Sequence, residues 1–70
     1  MKKQFNTAKF AADIKEARGD KPLKDFSTEI GIGLSTLHRI EGGNQPAIPA
    51  LCAIMVFMGW KFEDFIKETK

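Results

Sequence analysis

The sequence predicts an all-α domain, a compact unit of five short helices in which the second and third form a helix-turn-helix. Two observations carry this. Apolar residues recur at spacings of three and four along the whole chain, and aromatic or β-branched residues nowhere alternate with polar ones over a useful stretch. Glycines at 19, 31, 42, 43 and 59 cut that pattern into pieces of helix length.

The first helix opens at Asn6 or Thr7, both good N-caps, with Phe10, Ile14 and Ala17 on one stripe and Lys9, Asp13 and Glu16 on another. Gly19 stops it. Asp20-Lys21-Pro22 is a start signal, with Asp20 as cap and Pro22 in a first turn where its missing N–H costs nothing. The second helix then runs to Ile30 and buries Leu23, Phe26 and Ile30. Gly31 ends it, and a third begins near Gly33 with Leu37 and Ile40 inward. Two short helices joined by a tight glycine turn make a helix-turn-helix. Gly42-Gly43-Asn44-Gln45-Pro46 is a break, after which a fourth helix spans roughly Ile48 to Met58. A last short helix holds Phe62, Phe65 and Ile66 against Glu63, Asp64 and Lys67. Residues 1–6 read as a flexible basic arm, residues 7–67 as the helix-turn-helix domain and residues 68–70 as a tail.

Size and composition exclude several function classes. Seventy residues make one small domain. A chain of that length buries only about 60% of its unfolded surface and has little stability to spend on a deep, water-excluding active site. No nucleophile–base pair or carboxylate dyad can be nominated, so the expectation is that the protein is not an enzyme. One Cys and one His on separate segments fall short of a metal ligand set, and no cofactor or metal is expected. A lone Cys fits a reducing, cytoplasmic compartment, and Cys52, amid apolar residues, reads as a buried small side chain. The N-terminus has no apolar run of the signal-peptide kind. The longest apolar run, Ala47 to Trp60, contains Pro49 and Gly59 and falls short of the ~20 residues that cross a bilayer, so no membrane association is expected. With 11 basic and 9 acidic side chains, the net charge is +2. Bulk electrostatics therefore neither demands nor excludes a polyanion, and the placement of charges decides it.

The informative stretch is Ser27 to Glu41. Ser27 is small where a crossing helix comes close, Gly31 can take the positive φ of a turn, and Ile32 can plug the corner between helices. At about 100° per residue, Leu37, Ile40 and Glu41 share the inner face of the third helix. Ser35 and Arg39, at i and i+4, then point outward, flanked by Thr36 and His38. Such a face suits base edges and phosphates: Arg binds guanine bidentately, Ser and Thr serve several bases or a phosphate, and Leu34 suits a thymine methyl.

From Phe10 to Phe65 the sequence resembles the lambda-repressor-like, Cro-type helix-turn-helix family of phage and bacterial regulators. The matching motifs are Ile14-Lys-Glu-Ala-Arg18, Leu23-Lys-Asp-Phe-Ser-Thr-Glu-Ile-Gly31, Leu34-Ser-Thr-Leu-His-Arg-Ile-Glu-Gly-Gly43, Pro46-Ala-Ile48 and Met58-Gly-Trp-Lys-Phe-Glu-Asp-Phe65. The resemblance implies a five-helix fold whose third helix enters the major groove of double-stranded DNA, with two copies binding as a homodimer. Carried over by position, base contacts fall on Leu34, Ser35, His38 and Arg39. Phosphate contacts fall on Leu23, Lys24, Thr36, Asn44 and Gln45. The resemblance further implies an ion pair between Arg18 and Glu41 that ties the first helix to the third. Leu23 stands where many members have a DNA-contacting Gln, and Gly33 where a Ser or Thr cap is common.

The fourth helix is apolar nearly all round, and Ala53, Val56, Phe57 and Trp60 are expected to form a dimer or partner surface. The expected function is sequence-specific DNA binding: a transcriptional regulator, a repressor of phage or prophage type, reading a palindromic operator as a homodimer. Two alternatives use the same fold: an antitoxin that represses its own operon and binds a toxin, and an antirepressor that grips another protein.

Overall fold

Four α-helices carry the apolar stripes, and the two ends of the chain meet in an antiparallel pair of strands. The computed structural model describes residues 2–69, with side chains over residues 3–68. Residue 1 of the expected arm and residue 70 of the expected tail lie outside the described residues. In chain order the elements are β1 (Lys2–Phe5), α1 (Thr7–Arg18), α2 (Leu23–Ile30), α3 (Leu34–Glu41), α4 (Ile48–Met58), a single 3₁₀ turn (Phe62–Phe65) and β2 (Ile66–Thr69).

This overturns the all-α, five-helix expectation at both ends. The expected fifth helix, Phe62 to Lys67, holds together as helix only through the 3₁₀ turn, and from Ile66 the backbone is extended against β1, with Phe5 opposite Ile66 and Lys3 opposite Glu68. Fewer than two turns of helix are marginal in water, whereas pairing with a second segment satisfies both backbones at once. Correspondingly, Lys2–Phe5 is a strand and not a free arm. Helical spacing would set Phe62, Phe65 and Ile66 on one inward face; instead Phe65 is 2% exposed, Phe62 is 51% exposed, and Ile66 is half-buried.

Phe65 is the inner anchor of this closure. Its ring meets Phe10 edge-on at 5.1 Å and Trp60 at 5.3 Å, and Phe5 joins through Phe10 at 5.2 Å and Phe62 at 5.5 Å. The Lys9 ammonium sits 4.4 Å over the Phe65 ring. The Asn6 backbone N–H donates to the Phe65 carbonyl at 2.6 Å, so the chain enters α1 already bound to its own C-terminal segment. Asn6 also caps α1, its side-chain oxygen accepting from the Lys9 N–H at 3.1 Å.

The core is built from the inner faces of all four helices: Phe10, Ile14, Phe26, Ile30, Leu37, Ile40, Ala50, Leu51 and Ile54, with Phe65 closing it. On α1 the third inward position is Ala11, and Ala17 lies on the surface. The start of α2 also departs from expectation. The helix begins at Leu23 with Pro22 as an extended N-cap residue and no side-chain cap, so Asp20 does not cap it. Cys52 is exposed, because α4 turns Ala50, Leu51 and Ile54 inward and leaves 52 on the opposite side.

Leu37→Ala, at a side chain with no exposure, is expected to lower the unfolding free energy by about 2–5 kcal/mol. Cys52→Ala is expected to change it by less than about 0.5 kcal/mol in dilute solution. Urea denaturation of the two variants checks both values.

Candidate nucleic-acid interface

The corner between α2 and α3 sets the site. Gly31 takes φ 91°, the left-handed region that glycine enters without penalty, and the Gly31 and Ile32 N–H groups both donate to the Ser27 carbonyl, at 2.9 and 3.0 Å. Ser27 itself is 3% exposed and turns its hydroxyl back to the Lys24 carbonyl at 2.8 Å, so a polar side chain sits in the crossing without an unpaired donor. Ile32 packs against the core from within the turn. The chain thus reverses in three residues, and α3 leaves the corner with its direction decided by backbone hydrogen bonds.

On α3 the inner face is Leu37, Ile40 and Glu41, at 0%, 2% and 6% exposure. Glu41 is buried because Arg18 of α1 meets it fork to fork: Nε to Oε2 at 2.9 Å and Nη2 to Oε1 at 3.0 Å, with Nη1 donating to the Lys21 carbonyl at 2.8 Å. The hydrogen bond to Glu41 holds the Arg18 guanidinium above its ordinary pKa. A raised pKa contributes stability that is lost only as pH climbs through it, far into alkali.

With the inner face so clamped, Leu34, Ser35, His38 and Arg39 are all exposed, and Thr36 is half-buried at the flank. These are the four residues expected to meet bases, and they form one continuous strip along the outer face. Leu23 and Lys24, from the start of α2, line a shallow groove together with Leu34, Ser35 and His38, and its wall is mostly apolar. On the other flank Thr36, Arg39, Asn44 and Gln45 line a hollow of about 250 Å³ between the end of α3 and the start of α4. All nine expected contact residues thus line one or other of the two hollows that border the α3 strip.

Asn44 has a second duty there. Its side-chain amide donates to the Arg39 carbonyl at 2.9 Å and closes the C-terminus of α3, which leaves its amide oxygen free of that bond. Among the described residues neither the Arg39 guanidinium nor the Lys24 ammonium has an ion-pair partner, whereas Lys9 pairs with Asp13 at 2.8 Å and Lys21 with Glu29 at 2.6 Å. The two cations best placed for a polyanion are thus not neutralised internally.

Lys67 and Gln4 were not among the expected contacts. They share a polar hollow with Phe5, Thr7 and Gln45, next to the Asn44–Gln45 flank. Read as the polar side of a fifth helix, Lys67 carried no signal of this. Only the strand pairing brings it beside Gln45.

Two predictions follow from the geometry of α3. In a double-mutant cycle, Arg18→Met and Glu41→Leu together are expected to be less destabilising than either single change, since each single change leaves one charge unpaired against the core; thermal unfolding of the four proteins measures this. At Gly33, φ is −69° and a Cβ would meet nothing nearer than the Thr36 hydroxyl at 3.6 Å. Gly33→Ser is therefore expected to stabilise by about 0.5–1 kcal/mol in urea titration, through a cap and a less flexible unfolded chain. Compared with protein-family models, with curated proteins and with solved structures, the chain finds no match in any of the three.

Proposed function

We propose that this protein is a sequence-specific DNA-binding regulator that lays α3 in the major groove. The observation that carries the reading is the outer strip of α3: Leu34, Ser35, His38 and Arg39 exposed side by side on a helix whose opposite face is wholly buried. A B-DNA major groove about 12 Å wide accepts one helix, and these side-chain types are suited to its edges. Arg39 forks onto a guanine, Ser35 takes a second base or a phosphate, and Leu34 covers a thymine methyl. Lys24, Thr36, Asn44 and Gln45 grip the phosphates on either side, which sets the register without reading sequence. Two copies on a palindromic operator, one helical turn apart, make a steric repressor acting in the cytoplasm. Among the described residues no helix is long and apolar enough to cross a membrane.

The net charge of +2 gives this reading a quantitative shape. With so small an excess of positive charge, non-specific attraction is small, and affinity rests on a few placed contacts around Arg39. A second reading, a helix-turn-helix module that binds protein in the manner of an antirepressor or antitoxin, draws support from one observation: Val56 on α4 is 82% exposed.

Selection of bound sites from random DNA separates the two. Enrichment of a palindromic consensus supports the repressor, and no enrichment supports the protein-binding module. On the selected site Arg39→Ala is expected to cost about 1–3 kcal/mol and to relax preference at one base pair, whereas Lys24→Ala weakens all sequences alike and lowers the salt slope by about one. Equal loss from Arg39→Ala on selected and random DNA overturns the base-reading role.

A further inference from the structure

We infer that the terminal strand pair is a second phosphate-binding segment, in which Lys67 and Gln4 hold the DNA backbone next to the stretch gripped by Asn44 and Gln45. This rests on the DNA-binding function proposed above, and on no statement about which bases are read. Gln45 lines two hollows. One, of about 250 Å³, lies at the end of α3 with Thr36, Arg39 and Asn44; the other, of about 440 Å³, lies against the strand pair with Gln4, Phe5, Thr7 and Lys67. The two are neighbours with a common wall. Gln4 and Lys67 stand directly opposite each other in the β1–β2 register, and opposed residues of an antiparallel pair project from the same face. From one hollow to the next, Arg39, Asn44, Gln45, Gln4 and Lys67 make a track of side-chain donors with a cation at each end.

Charge selects the phosphate backbone as the ligand. Phosphodiester oxygens accept hydrogen bonds and carry negative charge, whereas the Lys ammonium, the Gln amides and the Thr hydroxyl all donate. None of the 9 acidic side chains lines either hollow. Glu68, next to Lys67 in the chain, alternates to the other face of the strand pair, where it stands opposite Lys3. Among the described residues Lys67 has no ion-pair partner, as is the case for Arg39 and Lys24. The core fixes where Lys67 stands: Phe65, two residues before it, is 2% exposed, and the Asn6 N–H holds the Phe65 carbonyl at 2.6 Å. A backbone already ordered in this way costs less to immobilise against a ligand than a loose tail. Since the contact goes to backbone oxygens and to no base edge, it strengthens binding to every sequence alike.

Fluorescence anisotropy of the full-length chain tests this on a duplex recovered from the random-DNA selection and on a scrambled duplex of equal length, each at about 50 and about 200 mM salt. One phosphate contact contributes a slope of about −0.9 to log K against log salt, so over that range it accounts for about a 3.5-fold loss of affinity. Lys67→Ala is expected to shrink the salt-induced loss by about that factor on both duplexes, and Gln4→Lys to enlarge it by the same factor. Neither changes the ratio of Kd between the two duplexes. Lys61→Ala, which removes an equally exposed cation that lines neither hollow, leaves the salt dependence unchanged. Salt dependence that responds to Lys67→Ala no more than to Lys61→Ala, or that ignores Gln4→Lys, overturns the inference and leaves base reading intact, since base reading is measured by the ratio between duplexes. A ratio that ignores Arg39→Ala overturns base reading, while the shifts in salt dependence still support the strand-pair contact. A wild-type chain that binds neither duplex overturns both.

Discussion

An eight-residue helix does not persist in water by itself, so the structure depends on how the inner face of α3 is held. Leu37 and Ile40 bury hydrocarbon in the core, and Glu41 is gripped by Arg18 from α1 through two parallel hydrogen bonds. The apolar pair provides burial and the ionic pair provides geometry, since a bidentate fork tolerates little rotation. With those three residues placed, the rotation of α3 about its axis is decided, and the outward strip from Leu34 to Arg39 has no other direction to take. The Gly31 turn makes the same choice from the other end.

The remainder of the small fold supports that clamp by closing on itself. A domain of 70 residues has little core to share among five helices, and the chain ends contribute more as a strand pair than as an arm and a fifth helix. Phe65, wedged among Phe10, Trp60 and Phe5, turns that pairing into core burial and holds the start of α1 through the Asn6 N–H. An isolated two-stranded ribbon is marginal in water; this one persists because its inner end is packed.

The closure leaves charge and hydrocarbon on different faces. Among the described residues ion pairs consume Lys9, Arg18 and Lys21, while Arg39 and Lys24 on the α3 side have none, and α4 carries no charged side chain. The α3 side thus carries cations and the outward side of α4 carries hydrocarbon.

The helix-turn-helix was legible in the residues because its determinants are local. Gly31 and Gly33 bracket a turn of fixed length, and with Leu37 and Ile40 inward, a 100° step per residue leaves Ser35, His38 and Arg39 outward whatever surrounds them. The Arg18–Glu41 pair, 23 residues apart, came only from a resemblance, and its fork geometry needed α1 and α3 packed together. The ends were not legible at all. Lys2–Phe5 and Ile66–Thr69 carry one fully apolar residue each, too few to show a period of two, and Phe62-Glu-Asp-Phe65 satisfies a helix pattern as well as a 3₁₀ turn. Cys52, expected to be buried, is exposed for a related reason: on a helix apolar all round, hydrophobicity does not say which side faces in. The sequence by itself determined four helices, their turns and the outer strip of α3, since each depends on neighbours a few residues away. Only the tertiary structure decided the strand pair, the inward side of α4 and the place of Lys67, because these depend on which distant segment offers the better partner for a backbone or an apolar face.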